Sequence, residues 1–242
     1  MSRVVLLFTV LLLLVVAAGP LHAQGSVQTI TLRASDGVSI AGTLYLPARR
    51  GGQAPAVILL HMLTRSRDDW QPVASKLADA GIAALAIDLR GHGTSGVGPS
   101  TGSGDLSIDL LDVQAARVFL KSRPDVAADR IGIAGASVGA NLAAIAAAGD
   151  PGIRSLALLS AGLDYRGLRT EAALKKFNDR PALIVASQED PYAVRSAHQL
   201  VAAGSGTREL RLLNDAGHGT VMFSRQPDLI GVLVDWFQRT LV

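Results

Sequence analysis

The chain has 242 residues, of which 49% are hydrophobic, and this length allows one large folded domain or two small ones. Its formal net charge is only +3, and the basic residues are scattered singly or in pairs, so the sequence lacks the basic patch of a nucleic-acid-binding protein. Cysteine is absent, which excludes disulfides, a lipid anchor on cysteine and metal sites built on thiolates.

The first element is an apolar segment typical of an export signal. Arg3 precedes a predominantly apolar run over residues 4–18, which is followed by a Gly-Pro break and the small residue Ala23. This pattern predicts a signal peptide over residues 1–23, cleaved near Ala23, and a folded domain over residues 24–242. The alternative is an N-terminal membrane anchor, although the run is shorter than the ~20 residues of a spanning helix. Either prediction places the folded domain outside the cytoplasm, and we expect no stable membrane insertion of the mature domain.

The next elements predict a hairpin and then an α/β fold. Two alternating segments meet at Asp36-Gly37, a dipeptide that favours a tight turn between antiparallel strands. From Ala56 onward, apolar runs of five to eight residues alternate with segments of helical period. Such runs are typical of strands buried on both faces of a parallel sheet. The predicted fold class is therefore α/β, with a mostly parallel, doubly wound sheet and an N-terminal antiparallel hairpin.

One serine lies at a turn between a predicted strand and a predicted helix. Ser137 is flanked by Gly135 and Gly139, and it follows the apolar run that ends near Ala134. Gly-x-Ser-x-Gly in this context predicts a nucleophile elbow, which lifts the hydroxyl out of the sheet in a strained backbone conformation. The alternative is a tight turn without chemistry.

A serine nucleophile requires a histidine base that is oriented by a carboxylate. Among the histidines after the leader, His218 lies between two glycines after the last predicted strand, so it is the expected base. The acid should follow a strand between the serine and the histidine. Asp190, held before a proline, is the first candidate, and Asp164 and Glu189 are the second and third.

Several motifs in this order resemble an α/β-hydrolase: LLHMLTRSRDDW, DLRGHGTSG, GASVGA, SQEDPY and AGHGTVMF. In its short insertion the chain looks more like the compact, dienelactone-hydrolase-like esterase branch, with serine where dienelactone hydrolases use cysteine. The resemblance covers about residues 27–242. It implies a Ser137, Asp190, His218 triad and a minimal lid, because only one short helix fits between the strands near residues 162 and 181.

The resemblance also implies an oxyanion hole made of two backbone amides. One belongs to Val138, the residue after the serine, and the other comes from the loop after His61. Many relatives have His-Gly at this strand end, whereas this chain has His61-Met62. We therefore expect the second amide to be that of Leu63, with Met62 as the alternative.

The expected activity is that of an exported serine carboxylesterase, which cleaves small or solvent-exposed esters through an acyl-enzyme. The alternatives are a peptidase or other acyl hydrolase, and a hydrolase-like binding module with little catalysis. No cofactor, metal or nucleic acid is expected. The substrate-binding candidates are Met62, Arg65, Tyr165, Tyr192 and Met222. Arg65 with Arg67, Arg166 and Arg169 could clamp an acidic group, although isolated arginines on loops are more often solvated surface residues. Met62, Tyr165, Tyr192, Met222 and Phe223 could line an acyl pocket, and each is equally consistent with an ordinary core residue.

Overall fold

The computed structural model describes residues 25–48, 52–98, 101 and 104–242, so the predicted signal peptide over residues 1–23 lies outside it. Its strands are β1 (Ser26–Arg33), β2 (Ser39–Leu46), β3 (Ala54–Leu60), β4 (Ala83–Ile87), β5 (Val126–Ala136), β6 (Ile153–Leu159), β7 (Asp164–Tyr165), β8 (Leu168–Arg169), β9 (Ala182–Ser187) and β10 (Arg208–Leu213). Its α-helices are α1 (Gln71–Asp79), α2 (Leu110–Ser122), α3 (Val138–Gly149), α4 (Thr170–Phe177), α5 (Pro191–Val201), α6 (Met222–Arg225) and α7 (Asp228–Leu241).

Eight strands form one sheet in the order β1-β2-β4-β3-β5-β6-β9-β10. The strands from β4 to β10 in this order are parallel, and β2 pairs antiparallel with both β1 and β4. The predicted fold class is confirmed, including the hairpin. Because β3, β5, β6, β9 and β10 run in one direction, the loops that follow them meet at a single edge of the sheet.

The helices cover the sheet on two faces. One apolar core contains residues of α2, α3, α4 and α5, and the other contains residues of α1, α6 and α7. The strands β4 and β9, which both have neighbours on each side, are buried at every position, which explains why they appear in the sequence as continuous apolar runs. Trp70 and Phe223 pack edge to face in the second core, with ring centroids 5.2 Å apart.

One strand is longer than its apolar run. The run predicts a strand over residues 130–134, but β5 already begins at Val126, which pairs with Ala54. The register then shifts before Ala56 pairs with Ile131. The polar residues Asp129 and Arg130 lie in this irregular stretch and conceal the beginning of the strand in the sequence.

The segment between β6 and β9 is short. It holds the two-residue pair β7–β8 and the eight-residue helix α4, which agrees with the expected minimal lid. The buried face of α4, which includes Leu174 and Phe177, belongs to the same core as α3. The inserted helix therefore packs onto the body of the domain.

Candidate active site

Ser137 lies at a sharp turn between β5 and α3. Its φ is 53° and its ψ is −119°, a strained conformation that costs on the order of 1–3 kcal/mol. A Cβ atom at Gly135 would lie 2.1 Å from the carbonyl oxygen of Gly139, and one at Gly139 would lie 2.5 Å from the carbonyl oxygen of His61. Both positions therefore require glycine, and the turn has the geometry of a nucleophile elbow.

His218 and Asp190 form a close pair at the same sheet edge. The Asp190 carboxylate is fixed first, because Oδ1 accepts from the Ala193 amide at the beginning of α5. Its Oδ2 lies 2.5 Å from Nδ1 of His218. An ionised carboxylate can only accept a hydrogen bond, so Nδ1 carries the proton and Nε2 is the basic nitrogen. The His218 side chain is 48% exposed, so Nε2 lies at an open site.

The loop that carries His218 lies beside the elbow. We call residues 214–221 the histidine loop. A Cβ atom at Gly219 would lie 3.6 Å from Cβ of Ala136, the residue before Ser137. Among the described residues no hydrogen bond joins the Ser137 hydroxyl to Nε2 of His218, whose other ring nitrogen is held by Asp190. Catalytic hydrogen bonds are often long without substrate, so the serine and the base can still form one when an ester binds.

The two alternative acids have other partners. Asp164 accepts from the Gly167 amide and lies 3.5 Å from Arg169. Glu189 accepts from the Ser187 hydroxyl and the Asp215 amide, and these hydrogen bonds lower its pKa to about 2. Of the three candidates, the structure brings only Asp190 to His218.

Two serines that the sequence analysis did not single out hold the histidine loop in place. Buried Ser160, directly after β6, accepts from the Gly219 amide at 3.0 Å. Ser187, at the end of β9, accepts from the Ala216 amide at 3.0 Å. His218 is thus fixed on both sides by side chains at strand ends. In the sequence, the signal for this role is a serine at the end of an apolar run, and this signal is weak because many strands end in the same way.

The loop after β3, residues 61–66, is named here the oxyanion loop, and it is organised by His61. This side chain is fully buried, and burial lowers its pKa, so the ring is neutral. Its Nε2 accepts from the Leu89 amide at 3.0 Å, which places the proton on Nδ1. Nδ1 then donates to the Met62 carbonyl oxygen at 2.7 Å. His61 is a structural residue of this loop.

The fixed Met62 carbonyl determines the direction of the Leu63 amide. In a trans peptide the C=O and N–H groups point in opposite directions, so the Leu63 N–H points away from the His61 ring. Neither this amide nor that of Val138, the first residue of α3, has an acceptor in the described part of the chain. Both amides suit the oxyanion role that the resemblance implies.

The bulk of Met62 is accommodated by a glycine in the histidine loop. A Cβ atom at Gly219 would lie 2.6 Å from the sulfur of Met62, so this thioether occupies the space that glycine leaves. Gly219 also has a φ of 60°, which disfavours other residues. The departure from His-Gly at residues 61–62 is therefore matched by a glycine across the site.

The arginines do not form a free cationic clamp. Arg65 makes a bidentate pair with Asp69, with Nη2 to Oδ1 at 2.7 Å and Nε to Oδ2 at 2.8 Å. Arg67 pairs with buried Asp88 and donates to Thr43. Arg67 is thus neither a clamp residue nor a solvated surface residue, because its charge is paired inside the fold. Two further arginines belong to the short segment after β6. Arg169 lies beside Asp164, and Arg166 lies over the ring of Tyr165.

The aromatic and methionine candidates separate into two groups. Tyr192 is 47% exposed, lies against Gly162 and donates to the Asp164 carbonyl oxygen, and Tyr165 is half-buried in β7. Met222 is fully buried in the second core and Phe223 is nearly so. Of the two roles expected for Met222 and Phe223, acyl-pocket wall or core residue, the structure shows the core role.

Neither a metal-binding cluster nor a membrane-spanning helix occurs among the described residues. No group of three or more His, Cys, Asp or Glu side chains is arranged there to hold a metal ion. Over the same residues, none of the helices has the length and apolar character needed to cross a bilayer.

The family model described as serine aminopeptidase, S33, matches residues 52–180. The chain belongs to this family of α/β-hydrolases. An uncharacterised protein of Pseudomonas aeruginosa is 29% identical to this hydrolase over 140 residues, which are 57% of the present chain and 37% of that protein. The aligned part of the chain thus spans well under half the length of this relative.

Two solved structures are similar to this hydrolase in fold. A dienelactone hydrolase from Anabaena variabilis has a TM-score of 0.74 at 20% identity, over 90% of this chain and 100% of that one. An esterase of Pyrococcus furiosus has a TM-score of 0.73 at 21% identity, over 90% and 94% of the two chains. The compact architecture of the hydrolase is therefore shared with both proteins.

Proposed function

We propose that this hydrolase is a serine carboxylesterase that acts through an acyl-enzyme. The observation that carries the proposal is the Asp190–His218 pair, which lies beside a strained elbow with an unpaired serine hydroxyl. Ser137 Oγ attacks the ester carbonyl carbon while Nε2 of His218 takes its proton, and Asp190 stabilises the resulting imidazolium. The amides of Val138 and Leu63 bind the oxyanion.

The remaining steps complete a balanced hydrolysis. His218 returns the proton to the leaving alcohol, and the acyl group remains on Ser137. A water molecule then attacks the acyl carbon while His218 takes its proton; the bond to Ser137 Oγ breaks, His218 returns the proton to this oxygen, and the acid is released. The segment between β6 and β9 is short, and its helix α4 packs onto the body of the domain beside α3. An insertion of this size supports small or solvent-exposed esters as substrates.

Amide hydrolysis is the second candidate, and the family's description as a serine aminopeptidase favours it. An ester is the less demanding substrate, because its alkoxide leaves more easily than an amine. The two candidates share the same catalytic residues, so only the substrate separates them.

The decisive experiment combines active-site labelling with a substrate panel. A fluorophosphonate probe should label the wild type and the Ser122→Ala control, whose serine is exposed at the end of α2, but should not label Ser137→Ala. Hydrolysis of p-nitrophenyl acetate should exceed that of p-nitrophenyl laurate and of aminoacyl p-nitroanilides. Equal and weak labelling of the folded wild type and Ser137→Ala would contradict the enzyme proposal in favour of a binding module. Faster cleavage of the anilides would identify a peptidase.

We also propose export, on the basis of the apolar leader over residues 1–23. Expression of the full chain in a bacterial host should give a periplasmic or secreted protein that begins near Gln24. Recovery of the intact chain in the membrane fraction would instead support the anchor.

A further inference from the structure

The oxyanion loop and the histidine loop are joined by a carboxylate. Asp69 lies in a short 3-10 turn, Arg67–Trp70, directly after the oxyanion loop. Its carboxylate accepts three hydrogen bonds from the Arg65 guanidinium and one from the hydroxyl of Thr220, which is 151 residues away in sequence. The Asp69 side chain is only 11% exposed. The Asp69 carboxylate therefore links the two loops, because it accepts hydrogen bonds from a residue of each.

The charge of Asp69 is stabilised where it lies. Partial burial alone would raise the pKa of the carboxyl group, but the hydrogen bonds from Arg65 and Thr220 outweigh this effect and hold the pKa below its usual value. Hydrogen bonds to an ionised acceptor are about twice as strong as those between neutral groups. Asp69 can therefore hold both partners at neutral pH.

Each partner of Asp69 is linked to a group of the candidate site. The backbone amide of Arg65 donates to the Met62 carbonyl oxygen at 3.2 Å, the same oxygen that His61 holds, so Arg65 helps to orient the Leu63 amide. On the other side, Thr220 lies two residues after His218. The neighbouring contact between Met62 and Gly219 also joins the oxyanion loop to the histidine loop.

We propose that Asp69 is a positioning residue, which sets the distance between the oxyanion donor of one loop and the base of the other. The inference rests on the function proposed above. Asp69 touches no reacting atom, and it acts through Arg65 on the Leu63 amide and through Thr220 on His218. The transition state needs both groups at the same carbonyl, and a misplacement of about 1 Å costs on the order of a hundredfold in rate.

The test compares Asp69→Asn with Asp68→Asn, a matched control in the same turn whose side chain is exposed. Asparagine keeps the size of Asp69 but loses the charge that holds two partners. Thr220→Val removes the other half of the bridge, and Thr220→Ser restores the hydroxyl. Each variant is titrated with the fluorophosphonate, so that kcat for p-nitrophenyl acetate is expressed per reactive serine.

We expect kcat per titrated site to fall about tenfold in Asp69→Asn and in Thr220→Val, with KM changed less than twofold. Asp68→Asn and Thr220→Ser should remain within twofold of the wild type. The double variant should be no slower than the slower single variant, because both changes break one bridge. A purely structural role would lower the titratable fraction and leave kcat per site unchanged.

Values of kcat per site within twofold of the wild type in both Asp69→Asn and Thr220→Val would overturn the proposal, as would additive effects in the double variant. These outcomes leave the proposed function intact, because they are measured on protein that the probe labels. Failure of the wild type to label would overturn the proposed function, and the positioning role with it.

Discussion

The contact between Gly139 and the end of β3 gives a quantitative prediction for Gly139→Ala. The new Cβ would lie 2.5 Å from the carbonyl oxygens of both Leu60 and His61, whereas ordinary contact begins at 3.4 Å. The shortfall is about 0.9 Å, and the opposing atoms are backbone, which cannot rotate away. The beginning of α3 must therefore move away from β3 by most of that distance.

This movement separates the Val138 amide from the oxyanion loop. A displacement of nearly 1 Å predicts a loss of roughly a hundredfold in kcat. Overpacking should cost about 1–3 kcal/mol in the free energy of unfolding, partly offset by about 1 kcal/mol from the higher helix propensity of alanine. The net change in stability is therefore smaller than the change in catalysis.

The assay measures kcat for p-nitrophenyl acetate per titrated site, together with the melting temperature. Gly149→Ala is the matched control, because it lies in the same helix and its new Cβ would meet no atom within 4 Å. The control should keep its activity and be as stable as the wild type or slightly more so. If Gly139→Ala retains more than half of the wild-type kcat, the close contact does not fix the oxyanion geometry and the reasoning is refuted.

Three further predictions concern the acid, the core and a buried carboxyl. Asp190→Asn should lower kcat by about 10⁴-fold with unchanged folding, because the asparagine side-chain amide favours the wrong tautomer of His218. A loss of kcat under tenfold would show that another residue acts as the acid. Met222→Ala should lower the free energy of unfolding by about 2–5 kcal/mol, measured by chemical denaturation, and leave KM unchanged in steady-state kinetics. A raised KM with full stability would instead identify Met222 as a substrate contact. Burial, reinforced by neighbouring Asp112, raises the pKa of Asp109 to about 6, above its unfolded value, so the free energy of unfolding should fall as the pH rises from about 4 to about 6. Asp109→Asn should remove on the order of 2 kcal/mol of this pH dependence. Identical pH profiles of stability for the wild type and the variant would exclude this role of Asp109.

The parts of the fold that follow a strong local pattern could be predicted from the sequence. The buried strands β4 and β9 are continuous apolar runs, and the Asp36-Gly37 turn indicates the hairpin. The elbow is local in part, because a Cβ at Gly135 would meet Gly139 four residues later, whereas Gly139 itself packs against the distant end of β3. The exact beginning of β5 could not be predicted, since Asp129 and Arg130 separate its first residues from the apolar run that follows.

The contacts that assemble the site across distant loops could not be predicted. The sequence shows three acids near strand ends, and only the folded chain brings Asp190 to His218. Arg67 is as polar as a clamp residue should be, but the buried Asp88 that neutralises it lies on another strand end. The side chain of Met222 is apolar in either role, and its burial depends on how α6 packs.

The residues that follow the histidine loop have a consequence for how substrates arrive. Met222 and Phe223 in α6 are part of the core that contains Trp70, so the segment carrying the base is attached to the interior of the protein. Opening it would expose this apolar surface to water, which is unfavourable. Substrate should therefore meet a site that is assembled before binding. The kinetics should show neither a lag phase nor activation at an oil–water interface, and the rate should saturate smoothly with dissolved ester.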